Sequence, residues 1–330
     1  MRLSLLIGVL TLLLAGLMVI SLLVGAKSIP FGDSWQALFG GADCLSQNCT
    51  LIRYSRLPRT LAGLVAGVAL GLSGSLLQTL TRNPLADSGI LGINAGASFA
   101  IVLGLLLTGA ASPLVWLGFA FSGALIALLI ISVTGAAAGS HASPLRLTLA
   151  GVALAAVLEG LTNGLSLMNP DIYDHLRFWL SGSLDIRGFS ALQILTPAVV
   201  AGSLITLSMG TALNNLSMGD ELATSLGTRV TRTRMLGLGA VALLSGAATA
   251  LTGPITFIGL MAPHLARFLI GADHRRMLPV TLLVTPCLLL TADILGRFLV
   301  VGELRVSVVA GLIGAPVLIL LARRLSRETV

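Results

Sequence analysis

Apolar runs, most of them close to the ~20 residues that a bilayer core demands, make up the bulk of this chain, and nothing else in it constrains the fold as tightly. They fall at roughly 3–24, 60–80, 90–109, 114–134, 146–167, 190–209, 235–251, 254–271, 278–296 and 306–322. Without water, each backbone N–H and C=O must be satisfied within its own segment, so such runs fold as helices. The expected fold is an all-α polytopic membrane protein with about ten transmembrane helices, forming a single transmembrane domain over residues 1–330. Composition agrees, with 55% hydrophobic and 10% charged residues and a mean hydropathy of +0.99. The 38 glycines suit membrane helices whose backbones approach closely.

A net charge of +7 raises the question of nucleic acid, but the basic residues are scattered between apolar runs and form no stripe. The positive-inside rule explains them instead. With the N-terminus inside, Arg2, Arg82, Arg146, Arg229, Arg232, Arg234, Arg267, Arg275, Arg276, Arg323, Arg324 and Arg327 fall in the cytoplasm. Lys27, Arg53, Arg56, Arg59, Arg177, Arg187, Arg297 and Arg305 fall outside, a smaller set. Trp35, Trp116, Trp179, Tyr54 and Tyr173 also gather on the outer side, where amphipathic rings favour the interface. The first run follows Arg2 as a signal peptide would, but its roughly 22 apolar residues exceed a signal core of about 7 to 15, so it is read as a span.

Cys44 and Cys49 share the first outer loop, where they form a disulfide in an oxidising compartment or remain two thiols; Cys287 reads as a small apolar residue inside the ninth run. Gly63, Gly67 and Gly71 recur every fourth residue on one face of the second run, a helix-contact face, with packing inside the subunit favoured over packing across a dimer. "VALGLSGS" at 68–75 and "VALLSGAA" at 241–248 are faint echoes in runs of opposite expected direction, as inverted repeats would give. Glu159 and Asp293 are the acids inside apolar runs. Asp293 has Arg297 four residues on as a helical ion-pair partner, while Glu159 is either an acid hydrogen-bonded to a neighbouring helix or a coupling site.

Enzyme chemistry finds no foothold. The one lysine, Lys27, does not complete GxxxxGK, no HExxH or CxxC pair occurs, and His141, His175, His264 and His274 are dispersed. The chain is expected to have no catalytic residue, no metal site and no bound cofactor.

One polar island interrupts the oil: "NNLSMGDELATSLGTRVTRTR" at 214–234. Asp220 reads as a helix N-cap, Leu222 and Leu226 share a face, Gly227 is a stop, and Thr228 caps a second start. A bare connection needs far fewer residues, so the island is expected to dock something on the cytoplasmic side.

"RLPRTLAGLVAGVALGLSG", "RNPLADSGILGINAGASFA", "LTLAGVAL", "GPITFIGLMAPHLARFLIGADHRRMLPV" and "GELRVSVVAGLIGAP" together resemble the iron-siderophore and vitamin B12 permease family of ABC importers, over about 53 to 320. The resemblance implies a vitamin B12 importer permease-like fold (type II ABC importer) in the bacterial inner membrane, with both termini cytoplasmic. Its implied partners are a second permease subunit, identical or homologous, two ATPase subunits that use ATP and Mg, and a periplasmic siderophore-binding protein. The cargo implied is a ferric siderophore, and "LTLAGVALAAVLEGLTNGLSLMNPDIYDHLRFWLSGSLDIR" points to ferric enterobactin. Residues 210–234 fall where the family has coupling helices, which makes Asp220, Glu221, Leu222, Ala223, Leu226, Gly227, Thr228 and Arg229 candidates for ATPase coupling. Arg56, Arg59 and Arg297 match positions that dock the binding protein, with interface anchoring as the plainer role.

The sequence departs from the family twice. Asp87, Ser88 and Gly89 stand where relatives read Asp-Pro-Gly, leaving Asp87 or Ser88 to cap the third span, and the gate segment "HASPLRL" offers Ser143 and Pro144 in place of a hydroxyl pair. The competing readings are a proton-coupled secondary transporter using Glu159, a scaffold without transport, and an importer of another chelate: haem, cobalamin or a hydroxamate siderophore.

Overall fold

The computed structural model describes residues 3–25, 29–40, 46–89, 91–109, 112–137, 144–299 and 303–328, and every regular element among them is helical. In chain order these are α1 (Leu3–Leu23), α2 (Phe31–Phe39), α3 (Gln47–Leu51) and a π-helical turn (Ile52–Arg56) that runs into α4 (Leu57–Thr81). Then come α5 (Ile93–Thr108), α6 (Pro113–Ala137), α7 (Pro144–Leu167), α8 (Pro170–Leu180), α9 (Ser190–Ser208), α10 (Gly210–Ser217) and α11 (Asp220–Ser225). The last four are α12 (Val230–Thr252), α13 (Ile258–Ile270), α14 (His274–Leu299) and α15 (Val306–Glu328).

Each apolar run has become one helix, namely α1, α4, α5, α6, α7, α9, α12, α13, α14 or α15. Among the described residues, 7 helices are long and apolar enough to cross a membrane; the apolar stretches Ile93–Thr108, Ile258–Ile270 and Val306–Ile319 are shorter. The amphipathic helices α2 and α8 were not foreseen, because each is too short and too polar to register as a span.

α4 is the axis of the bundle, with 78% of its apolar window buried. Its glycine face packs within the chain, against α14. A Cβ on Gly63 would come within 2.6 Å of a Leu290 methyl, and one on Gly67 within 2.6 Å of the Pro286 Cα. Only glycine permits that backbone approach, and the close packing supplies the dispersion contacts that hold helices together where lipid is as apolar as leucine. Leu80, near the end of α4, lies over Gly237, near the start of α12, so these helices run in opposite directions, as their echoing sequences suggested.

Each of the two then breaks and restarts as a shorter helix. α5 follows Gly92 (φ +65°) and α13 follows Phe257 (φ +67°). α13 starts deep: a Cβ on Gly259 would lie 3.1 Å from the carbonyl of Leu70, midway along α4, and 3.2 Å from a carboxylate oxygen of Asp87. This corrects the expectation that Asp87 or Ser88 caps α5. No side chain caps α5, and Asp87 lies instead beside the first turn of α13.

α7 is the opposite of α4, with only 11% of its apolar window buried. Added Cβ atoms at Gly160 and Gly164 would meet nothing.

Candidate functional site

The polar island folds into α10 and α11 between the long helices α9 and α12. Gly219 (φ +117°) makes the turn between them and occupies the cap position of α11. Asp220 is therefore the first helical residue and not the cap expected from sequence. Its carboxylate instead pairs with Arg82, at the left-handed end of α4, and with Arg234 in α12 at 2.9 Å. One acid thus fastens α11 to two long helices.

Gly227 (φ +80°) ends α11 as expected, with the Thr228 N–H donating to the Ala223 carbonyl at 2.9 Å. Thr228 does not cap α12. Its hydroxyl accepts from the Asn215 amide at 2.9 Å, which ties the far side of the island back to α10. Ala223 is buried beneath the island, while Met218, Leu222 and Leu226 stand 61%, 54% and 57% exposed. Glu221 and Arg229 are also exposed beside them. The result is a firmly mounted platform whose apolar, charge-edged surface is exposed among the described residues.

Beneath the platform lies a network that the dispersed histidines of the sequence did not reveal. Asn214 of α10 accepts at Oδ1 from the His274 backbone N–H at 2.9 Å and lies 2.8 Å from the His274 ring Nδ1, while its amide donates to Asp273 at 2.7 Å. His274, buried at the start of α14, is 2.8 Å from the Thr79 hydroxyl of α4 through Nε2. Asn214 Oδ1 can only accept, so the ring proton belongs on Nδ1, and Nε2 shares the single Thr79 hydroxyl proton with the Ser75 carbonyl, 2.9 Å from that hydroxyl. In the loop before α14, the Asn214 amide and the Arg275 backbone N–H hold the Asp273 carboxyl below the usual carboxylate range. Gln78 donates to the Leu260 carbonyl at 3.1 Å and accepts from Arg267 at 2.9 Å, which adds α13 to the assembly. Movement of α10 and α11 thus has polar handles on α4, α12 and α14.

The opposite end of the bundle is built around charges turned inward. Arg59 bonds Asp293 at 2.9 Å and Glu303 at 2.7 Å, while Arg297 bonds the other Asp293 oxygen, the pair expected from their spacing. Arg297 also donates to the carbonyls of Ser21 and Val24, both at 2.7 Å, and Arg56 donates to those of Leu22 and Leu23 at 2.7 Å. These carbonyls are orphans at the end of α1, so the arginines act as its C-cap. Arg56, Arg59 and Arg297 therefore point into the protein, where α1, α4 and α14 meet.

A family model, the FecCD transport family, matches residues 12–324. The chain belongs to the FecCD transport family. It is 61% identical over 309 residues to the ferric enterobactin transport system permease protein of Escherichia coli (strain K12), covering 93% of this chain and 92% of that one. It is 37% identical to the hemin transport system permease protein of Yersinia pestis, over 94% and 93% of the two chains. A solved inward-facing metal-chelate type ABC transporter matches with a TM-score of 0.84 at 30% identity, covering 98% of this chain and 99% of that one.

Other candidates in this FecCD-family chain fall apart from these two ends. Glu159 lies on the bare side of α7, so it is neither buried nor hydrogen-bonded to a neighbouring helix among the described residues. Cys49 is disulfide-bonded and Cys287 is a free thiol buried in the bundle, while Cys44 lies outside the described residues. Ser143 likewise lies outside them, and Pro144 begins α7. Among the described residues no cluster of histidine, cysteine and acidic side chains is placed to hold a metal ion.

Proposed function

We propose that the chain is the permease subunit of an ABC importer that moves a ferric siderophore, ferric enterobactin, from the periplasm to the cytoplasm across the bacterial inner membrane. The observation that carries this reading is the 61% identity to the ferric enterobactin permease over more than nine-tenths of both chains. In this reading all ten apolar helices cross, both termini are cytoplasmic, and the α10–α11 platform faces an ATPase subunit that uses ATP and Mg. The exposed Leu222 and Leu226 support that assignment, since a stand-alone carrier has no use for an apolar cytoplasmic face.

A second permease subunit, identical or homologous, packs against the bare face of α7, and the cargo passes between the two subunits. ATP binding closes the pair of ATPases, and each platform transmits that motion through Asp220 to α4 and α12, and through Asn214 and His274 to α14. The periplasmic siderophore-binding protein meets the opposite end, whose shape the Arg59 cluster fixes. Direct contact by Arg56, Arg59 or Arg297 requires that cluster to open first.

Uptake of labelled ferric enterobactin, measured in cells with and without this gene, is the test. Uptake should require the gene, stop on ATP depletion and survive a protonophore at constant ATP. Uptake that survives ATP depletion and collapses with the protonophore would instead make Glu159 a proton-coupling site and sink this reading. Uptake of haem, cobalamin or a hydroxamate siderophore in place of enterobactin would correct the cargo alone.

A further inference from the structure

We infer that α2 is a membrane anchor: a helix lying flat in the headgroup boundary of one leaflet, the outer one in the orientation proposed above, with its aromatic edge in lipid. Phe31, Trp35 and Phe39 recur every fourth residue, so they form one stripe along this 9-residue helix. They are 60%, 58% and 69% exposed, and their rings run in file with centroids 6.2 and 4.6 Å apart.

The opposite face is firmly seated, so the exposure of the stripe is not that of a fraying segment. Ser34 and Ala37 are buried, and Ala37 packs with Ile29, Cys49 and Ile52. The Ala37 carbonyl accepts from Arg53 Nε at 2.5 Å, and Asp33 accepts from Asn48 at 2.8 Å. The one acid of α2 is thereby satisfied against its own protein, and the stripe carries no charge.

Depth is set by the chain on either side. The Ile29 N–H lies 3.4 Å from the Leu23 carbonyl, so the chain doubles back and α2 begins at the level where α1 ends. Arg56, which ends the π-helical turn that α2 rests on, donates to the Leu22 and Leu23 carbonyls at the same level. α1 is itself only 17% buried and turns Leu5, Val9, Leu12 and Leu13 outward, a face that fits acyl chains. The stripe thus stands at the rim of a lipid-facing helix, where Trp and Phe rings are most stable. Without cations, it has no means of selecting anionic lipid, and with the Trp35 indole N–H as its single polar group it has little with which to orient a protein partner. Anchored this way, α2 fixes the depth of the π-helical turn and of the Arg59 cluster behind it.

The inference needs the bilayer but not the cargo, so its failure leaves the transport reading intact. The full chain is placed in nanodiscs of phosphatidylethanolamine and phosphatidylglycerol with Trp116→Phe and Trp179→Phe, leaving Trp35 as the one tryptophan. Lipids brominated near the carboxyl end of the acyl chain should quench Trp35 by about twofold or more, more than lipids brominated near the methyl end, as an interfacial position requires. Aqueous iodide should quench it weakly, and the phosphatidylglycerol fraction should not matter. Strong iodide quenching without bromine quenching would show the stripe in water and overturn the inference. Protection from both would show a protein covering it and would also overturn it. A Phe39→Cys nitroxide label, read by its collisions with oxygen and with a nickel chelate, gives the same decision should the double Phe variant fail to fold.

Discussion

The two ends of this bundle use charge in opposite ways. At the Arg59 end, three guanidiniums and Asp293 are enclosed and saturated, with Arg56 only 5% exposed, and they join α1, α4 and α14 into one block. At the island end, Asp220 pairs with Arg82 and Arg234 on the surface, and the leucines beside it are left open. A closed set of charges holds its own helices, whereas an open apolar face held by surface charges awaits something else. Charge in a loop therefore does not by itself mark a partner surface. What marks it is apolar area with rigid support and no cover.

The most forceful way to break this comparison is Asp293→Ala, which leaves the buried Arg297 guanidinium without a counter-charge and Arg59 with Glu303 alone. It should cost about 3–5 kcal/mol of stability, whereas Asp220→Ala, on the surface, should cost under about 1 kcal/mol. Thermal unfolding of the purified chain decides it, and equal losses would erase the distinction between the ends. Next in size, Gly67→Leu forces α4 away from α14 and should cost about 1–3 kcal/mol, while Gly160→Leu on bare α7 should leave the isolated chain unmoved and weaken only its assembly with a second permease subunit.

His274→Ala removes the ring that joins the buried Thr79 of α4 to the half-buried Asn214 of α10 and should cost about 1–3 kcal/mol, again by thermal unfolding. If the network transmits motion, the same variant also raises the ATP hydrolysed per chelate imported. Leu222→Asp with Leu226→Asp should change stability by less than about 0.5 kcal/mol each and abolish co-purification of the ATPase; retained binding would make the island a mere loop.

The smallest effect concerns pH. The Asp273 carboxyl is held below its ordinary value, so its contribution is complete above the unfolded carboxylate range and is lost only as pH falls through the lower folded value. A stability profile of wild type against Asp273→Asn should show the two differing at neutral pH and converging in acid. Because Asp273 is exposed, the gap should be small.

Much of this was legible from residues alone. Each apolar run became a helix, 7 of them long and apolar enough to cross a membrane among the described residues, the Asp293–Arg297 spacing gave a true ion pair, and Gly227 gave a true stop. The errors have physical causes. Asp220 looks like a cap because short acids favour that position, but Gly219 takes the required backbone conformation and frees the carboxylate for two distant arginines. Asp87 likewise stands next to α5 in sequence yet lies beside α13, which only the re-entrant path of the chain brings within reach. His274 gave no signal, since its partners Thr79 and Asn214 are separated from it by 195 and 60 residues.

The sequence by itself determined that this chain lives in a bilayer, that it folds as helices, and where its one large polar interruption lies. Each of these follows from local physics: the length of an apolar run and the need to satisfy every backbone group inside it. Only the tertiary structure decided which arginines face inward, which glycines touch another backbone, and which helix stands bare. In lipid, the side of a helix that meets protein and the side that meets acyl chains are equally apolar, so hydrophobic pattern cannot tell them apart. Pairs such as Arg59 and Asp293, 234 residues apart, meet only once the bundle is assembled.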